Sequence, residues 1–160
     1  MKTTMTVFIA AAIAAAAWFL LVPSQEARVK KAFAQAAATL EKSGREPPLD
    51  AMGKARALAE LAEAQCVLEY DGASFTLAQE RSAMASRIAT LRNMSSRIHV
   101  AFKDVSVSFP DSATAEASCG FVFEGDDLGT GVRDARSIEA VLHKDGESGK
   151  WRFSRVRVAR

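Results

Sequence analysis

Cysteine and histidine are scarce in this chain, two of each in 160 residues. With no C-x-x-C spacing, four such residues cannot build a four-ligand zinc site without help from carboxylates. No cofactor is expected. Charge of one sign is also missing: 21 basic against 19 acidic residues leave a net +2, too little for a nucleic-acid domain read from net charge. Glycine and proline, nine and four residues, are too few for a collagen-like or low-complexity chain. What is present is globular composition, 49% hydrophobic and 25% charged, with alanine over-used at 31 residues. The length suits one ordinary domain.

The longest uncharged run lies at the start. Thr3 to Val22 is 20 residues without a charge, seven of them Ala, closed by Trp18-Phe19-Leu20-Leu21-Val22. As a helix rising 1.5 Å per residue it would span about 30 Å, the thickness of a bilayer's hydrocarbon core. Lys2 and the amino terminus supply a positive cytoplasmic end, and Trp18 suits the far interface. A cleaved signal peptide is the competing reading, but Val22-Pro23-Ser24 is a poor cleavage site. A buried core helix is the third, and the segment lacks the polar face such a helix needs. The expectation is a signal anchor over 1–24 and a folded domain over 25–160, placed outside the cytoplasm on a bacterial-type inner membrane.

Three helices are predicted in the first half. Gln25 to Ser43 puts Val29, Phe33, Ala36 and Leu40 on one stripe, stopped by Gly44 and reset by Pro47-Pro48. A second runs from near Leu49 to about Ala64, with Met52, Leu58, Leu61 and Ala62 inward. Cys66–Tyr70 and Ala73–Leu77 flank Asp71-Gly72, a strong hairpin signal. A third helix spans about Ala78 to Met94, with Arg81 on the same stripe as Met84, Ile88 and Leu91.

The second half reads as four long strands. Ile98, Val100 and Phe102 alternate, and then Val105, Val107 and Phe109 alternate on the other parity. A one-residue slip at Lys103-Asp104 is the signature of a β-bulge. Residues 113–124 place Ala115, Ala117, Cys119, Phe121 and Phe123 on one face. Val132–Lys144 and Lys150–Ala159 follow, and the last also changes parity between Phe153 and Val156.

Helices and a hairpin followed by long bent strands make an α+β architecture, a cone of about three helices on a curved antiparallel sheet. That order resembles the nuclear transport factor 2-like superfamily, which includes SnoaL-type proteins and ketosteroid isomerases (the cystatin-like fold). The resemblance rests on the Asp71-Gly72 hairpin leading to a helix, on VAFKDVSVSFPDSATAEASCGFVF and on VLHKDGESGKWRFSRVRV, and covers about 26–159. It implies a pocket between helices and concave sheet face, here Phe33, Tyr70, Phe102, Phe121 and Trp151. It also admits a homodimer through the sheet. The strands of Cys66 and Cys119 are not neighbours in such a sheet, which argues for two buried thiols over a disulfide.

The catalytic set of the isomerases is incomplete. The first helix has Phe33 and Leu40 where they carry a Tyr. Glu69 and Asp71 fall near the position of their base, and Ala140 matches their late-strand acid, with Glu139 on the opposite face. His99 and His143 are acid–base groups by type alone, each among charged neighbours at a strand end. Asp126-Asp127 lacks the ligand count of a calcium loop.

Charge is uneven. Residues 111–127 hold five acids and no base, and residues 132–160 hold eight bases against four acids. Cross-strand pairing on an exposed sheet face accounts for this. A basic edge meeting a protein partner or anionic headgroups is the sharper alternative. The expectation is therefore a membrane-tethered binding or assembly module without catalytic activity, taking a small apolar ligand or an envelope protein partner. The alternative is a small isomerase or dehydratase acting in the cone.

Overall fold

Ser24 starts the first helix: its Oγ accepts a hydrogen bond from the Ala27 N–H at 3.1 Å, satisfying a donor that has no partner inside the helix. In the computed structural model, which describes residues 23–70, 72–76, 81–127 and 130–159, helix α1 runs Gln25–Leu40. It buries Val29, Ala32, Phe33 and Ala36. Helix α2 (Pro48–Glu60) opens with proline at its first position, where the missing N–H costs nothing. Helix α3 is Arg81–Met94. Among the described residues no helix is long and apolar enough to cross a membrane; residues 3–22 lie outside them.

Seven strands form one sheet: β1 (Lys42–Ser43), β2 (Ala62–Tyr70), β3 (Ala73–Thr76), β4 (Ser95–Ser108), β5 (Thr114–Asp127), β6 (Thr130–Lys144) and β7 (Trp151–Ala159). Their order is β1-β4-β5-β6-β7-β2-β3. The expected antiparallel sheet is thereby corrected to a mixed one, because β2 lies parallel to β7. The chain enters β2 from α2, beside the last strand, where the Phe153 N–H donates to the Leu61 carbonyl at 2.8 Å. The first helix also ends earlier than Ser43. Glu41 is extended, and Lys42 then pairs with Ile98 as a short edge strand.

Both parity changes are bulges. In the β4–β5 ladder Lys103 faces Gly120 and Ser106 faces Ser118, so Asp104 and Val105 share one opposing residue, Cys119. Asp104 takes the conformation that makes room, φ +53°. In β7 the partners step from Leu142–Phe153 to Val141–Arg155, leaving Ser154 as the extra residue. These two bends curl the sheet so that one face is concave.

The core has two parts. Val29 and Phe33 of α1 pack on Ala115, Ala117, Cys119, Ile138, Ala140, Leu142 and Trp151. The second part is made of small residues, Ala55 and Ala59 of α2 against Ala85 and Ala89 of α3, with Ala62 and Cys66 of β2. Alanine, not the expected Leu58 and Leu61, forms the buried stripe of α2. Small side chains let the two helices approach closely. Both thiols are free, on strands separated by β6 and β7.

Candidate functional site

The strand register decides which side chains share the concave face. Ile138 is buried and pairs with Val158, which pairs in turn with Tyr70. Two residues along β6 from Ile138, Arg136 faces Phe121, and Asp134 faces Phe123. Side chains alternate along a strand, so Tyr70, Val158, Ile138, Arg136, Asp134 and Phe121 all point inward. The Arg136 Nε donates to both carboxylate oxygens of Asp134, at 3.0 and 2.9 Å. Its guanidinium carbon lies 6.0 Å from the centre of the Tyr70 ring, a cation–π distance.

Deeper in, aromatic rings fill the cone. Phe33, 2% exposed, meets Phe102 edge-on at 5.3 Å and Phe153 at 5.0 Å. Phe121 lies 5.6 Å from Phe102. At the far end Trp151 packs with Phe109 at 5.8 Å, and its indole N–H donates to the Gln25 Oε1 at 3.2 Å.

Of the five expected pocket residues, Tyr70, Phe102, Phe121 and Trp151 lie on the concave face of the sheet, and Phe33 of α1 packs against it. Phe33, Phe102 and Phe121 are in a continuous ring contact. Trp151 closes the narrow end, and Tyr70, 44% exposed, stands at the mouth. Along β7 the two ends are roughly 20 Å apart, from seven residues at about 3.3 Å each.

The expected acid–base groups lie elsewhere. Glu69 is on the outer face, in one row with Arg157 and Glu139. It accepts from the Arg157 Nε at 2.6 Å, with Arg155 at 3.7 Å. The hydrogen bond from Arg157 holds its carboxyl below the ordinary value. Asp71 lies outside the described residues. Glu139 is exposed and Ala140 is buried, as the opposite parities require. His99 and His143 are partnered on the surface by Glu41 and Glu63, at 3.3 and 3.1 Å. Burial pushes both cysteine thiols up to about 11, helped at Cys66 by the Glu63 charge. Asp126 accepts from the Ser96 hydroxyl and from the Arg97 N–H, which ties the start of β4 to the end of β5. Among the described residues no group of three or more metal-ligating side chains is found.

Cross-strand pairing, the plainer of the two charge readings, is what the sheet displays: Arg133 with Glu124, and Arg157 with Glu69 and Glu139.

Sequence reasoning missed two features. Arg136 and Asp134 were readable from parity, since they continue the inward series Leu142, Ala140, Ile138. The buried Arg92 was not. Its side chain, 2% exposed, donates to the carbonyls of Thr39 and Leu40 at 2.8 Å and of Glu41 at 3.1 Å, and is doubly bonded to Glu46. Lys42 lies beside it, donating to the Arg92 and Ser95 carbonyls at 2.6 Å. This network satisfies the open carbonyls at the end of α1.

No protein-family model and no curated protein matches the sequence. Solved structures do match. A candidate scytalone dehydratase from Novosphingobium aromaticivorans superposes with TM-score 0.65 at 13% identity, over 82% of this chain and 80% of that one. A candidate dehydratase of the nuclear transport factor 2-like family from Streptomyces avermitilis gives 0.63 at 15%, over 86% and 97%. A candidate calcium/calmodulin-dependent protein kinase II association domain from Xanthomonas campestris gives 0.61 at 18%, over 85% and 88%. At such identities the likeness establishes the fold: the chain has the nuclear transport factor 2-like architecture. Folds of this kind host unrelated functions.

Proposed function

We propose that this protein is a non-catalytic binding module, tethered by residues 3–22 to the outer side of a bacterial-type inner membrane. The mouth of its cone, beyond the packed rings, takes up a small apolar ligand that carries an acidic group. The observation that supports this most is the make-up of the concave face. Apolar rings run from Trp151 to Phe121, and at the mouth stands a guanidinium paired with Asp134 and flanked by an aromatic ring. An acyl chain or ring system would lie against the outermost ring, Phe121, with its acid sharing the Arg136 guanidinium with Asp134 beside Tyr70. Glu69 works against catalysis because it faces outward and is held ionised by Arg157. A neutral acid, the group an isomerase of this fold would use on an enolate, has no counterpart at Ala140.

The likeness to candidate dehydratases favours a second reading, a dehydratase using Asp134 in the same mouth. The two separate on one comparison. In thermal unfolding, decanoate at about 100 times its dissociation constant should raise the Tm by roughly 5–10 °C, and decanol should raise it less. Arg136→Gln should remove the difference between the two. Equal effects of decanoate and decanol, or none from either, would contradict the binding reading.

A further inference from the structure

A second concavity, of about 520 Å³, lies between α1, α2 and the β6–β7 turn. Arg28, Lys31, Lys150 and Gln35 line it, with Trp151 in its wall and Glu60 as its carboxylate. Three cations thus face one acid. On the sheet, Arg133, Arg152, Arg155 and Arg157 are each matched by a carboxylate. Among the described residues Arg28, Lys31 and Lys150 form no salt bridge, while Lys30, next in α1, is taken by Glu26 at 2.6 Å.

The position of the groove suggests its occupant. α1 begins at Gln25, three residues after the uncharged run, and Arg28 and Lys31 follow within about 9 Å of helix rise. The Gln25–Trp151 hydrogen bond fixes this end of α1 to β7. If residues 3–22 cross the membrane, this groove opens where the chain leaves the bilayer, at headgroup level.

We propose that the groove binds the phosphate headgroup of an anionic phospholipid, so that the tethered domain stands in one orientation on the membrane. This rests on the tether in the reading above. Lys31 of α1 and Lys150 of the β6–β7 turn supply two ammonium groups to the groove, and Arg28 adds a donor fork. The orientation would leave the sheet, and with it the outer-face groove of Ser106, Glu116, Glu139 and Arg155, turned toward other partners.

The test uses the full chain in nanodiscs of phosphatidylcholine alone and of phosphatidylcholine mixed with phosphatidylglycerol. Lysine acylation rates are mapped by mass spectrometry, with Lys103 on the outer sheet face, exposed, as internal reference. Phosphatidylglycerol should slow acylation of Lys31 and Lys150 about fivefold relative to Lys103, the effect of one surface cation interaction. Unchanged ratios would overturn the proposal. Full protection by inorganic phosphate in phosphatidylcholine discs would also overturn it, assigning the groove to a free anion. Failure of the chain to enter phosphatidylcholine discs would count against the tether alone. Phosphatidylglycerol vesicles added to that chain would then still read the groove, with protection supporting it and no protection overturning it.

Discussion

Arg92 shows how one side chain can hold several elements together. Its guanidinium caps the last carbonyls of α1, pairs with Glu46 before α2, and belongs itself to α3. Arg92→Met keeps the volume and removes every donor, leaving three carbonyls and a carboxylate without it. We expect a loss of about 3–5 kcal/mol in urea unfolding, against little change for Arg56→Met, an exposed position on α2. The pair also carries a pH signature. Burial pushes the Glu46 carboxyl up, but hydrogen bonds from Lys54 and Arg92 hold it below its ordinary 4.5. A depressed folded-state value means that its contribution is complete above about pH 4.5 and is lost as pH falls through the lower folded value. The stability gap between the wild type and Glu46→Gln should therefore be wide at pH 7 and shrink on acidification below that point. A gap independent of pH would show that the carboxylate charge adds nothing. None of this network was readable beforehand, because a lone Arg in a helical stripe gives no sign that it will meet carbonyls about 50 residues away. Arg136 differs, since strand parity places it inward without knowledge of any partner.

At the scale of elements, the bends matter most, and they were legible. Apolar residues of β4 change parity at Lys103-Asp104, and the ladder places two residues opposite one at that point. Asp104, at φ +53°, is the residue that absorbs the bulge. Asp104→Gly and Asp104→Asn should leave stability nearly unchanged, because both tolerate that backbone conformation. Asp104→Val should lose about 1–2 kcal/mol, since a β-branched side chain there is strained. Equal effects of Asn and Val would contradict the bulge. The parallel pairing of β2 with β7 was not legible. Each strand shows its own alternation, but nothing local in Cys66–Tyr70 tells which edge of the sheet it will join or in which direction. The same holds for the early end of α1. Lys42 and Ser43 continue the helical pattern, and what draws them into a strand is distant in sequence: backbone pairing with Arg97 and Ile98, and the Arg92 and Ser95 carbonyls that accept from the Lys42 Nζ. In α2 the alanine stripe was hidden by the larger leucines, which a hydrophobicity pattern weights more heavily.

For the whole molecule, the cone and the groove meet along α1. One side of that helix, with Phe33, fills the cone; the other, with Arg28 and Lys31, lines the groove nearest the proposed tether. Binding at the mouth and attachment at the opposite end would let the cone face away from the bilayer. The proposed function depends above all on attachment through residues 3–22 of a folded domain with two protected thiols. It is tested most directly by intact mass of the protein expressed from its own first residue, recovered from the membrane fraction and alkylated without reductant. The expected result is an unprocessed chain in membranes that takes up no alkyl group while folded and two once denatured. That follows from burial of Cys66 and Cys119, which keeps both as thiols. A shortened chain in the soluble fraction, starting near Ser24, would contradict the tether.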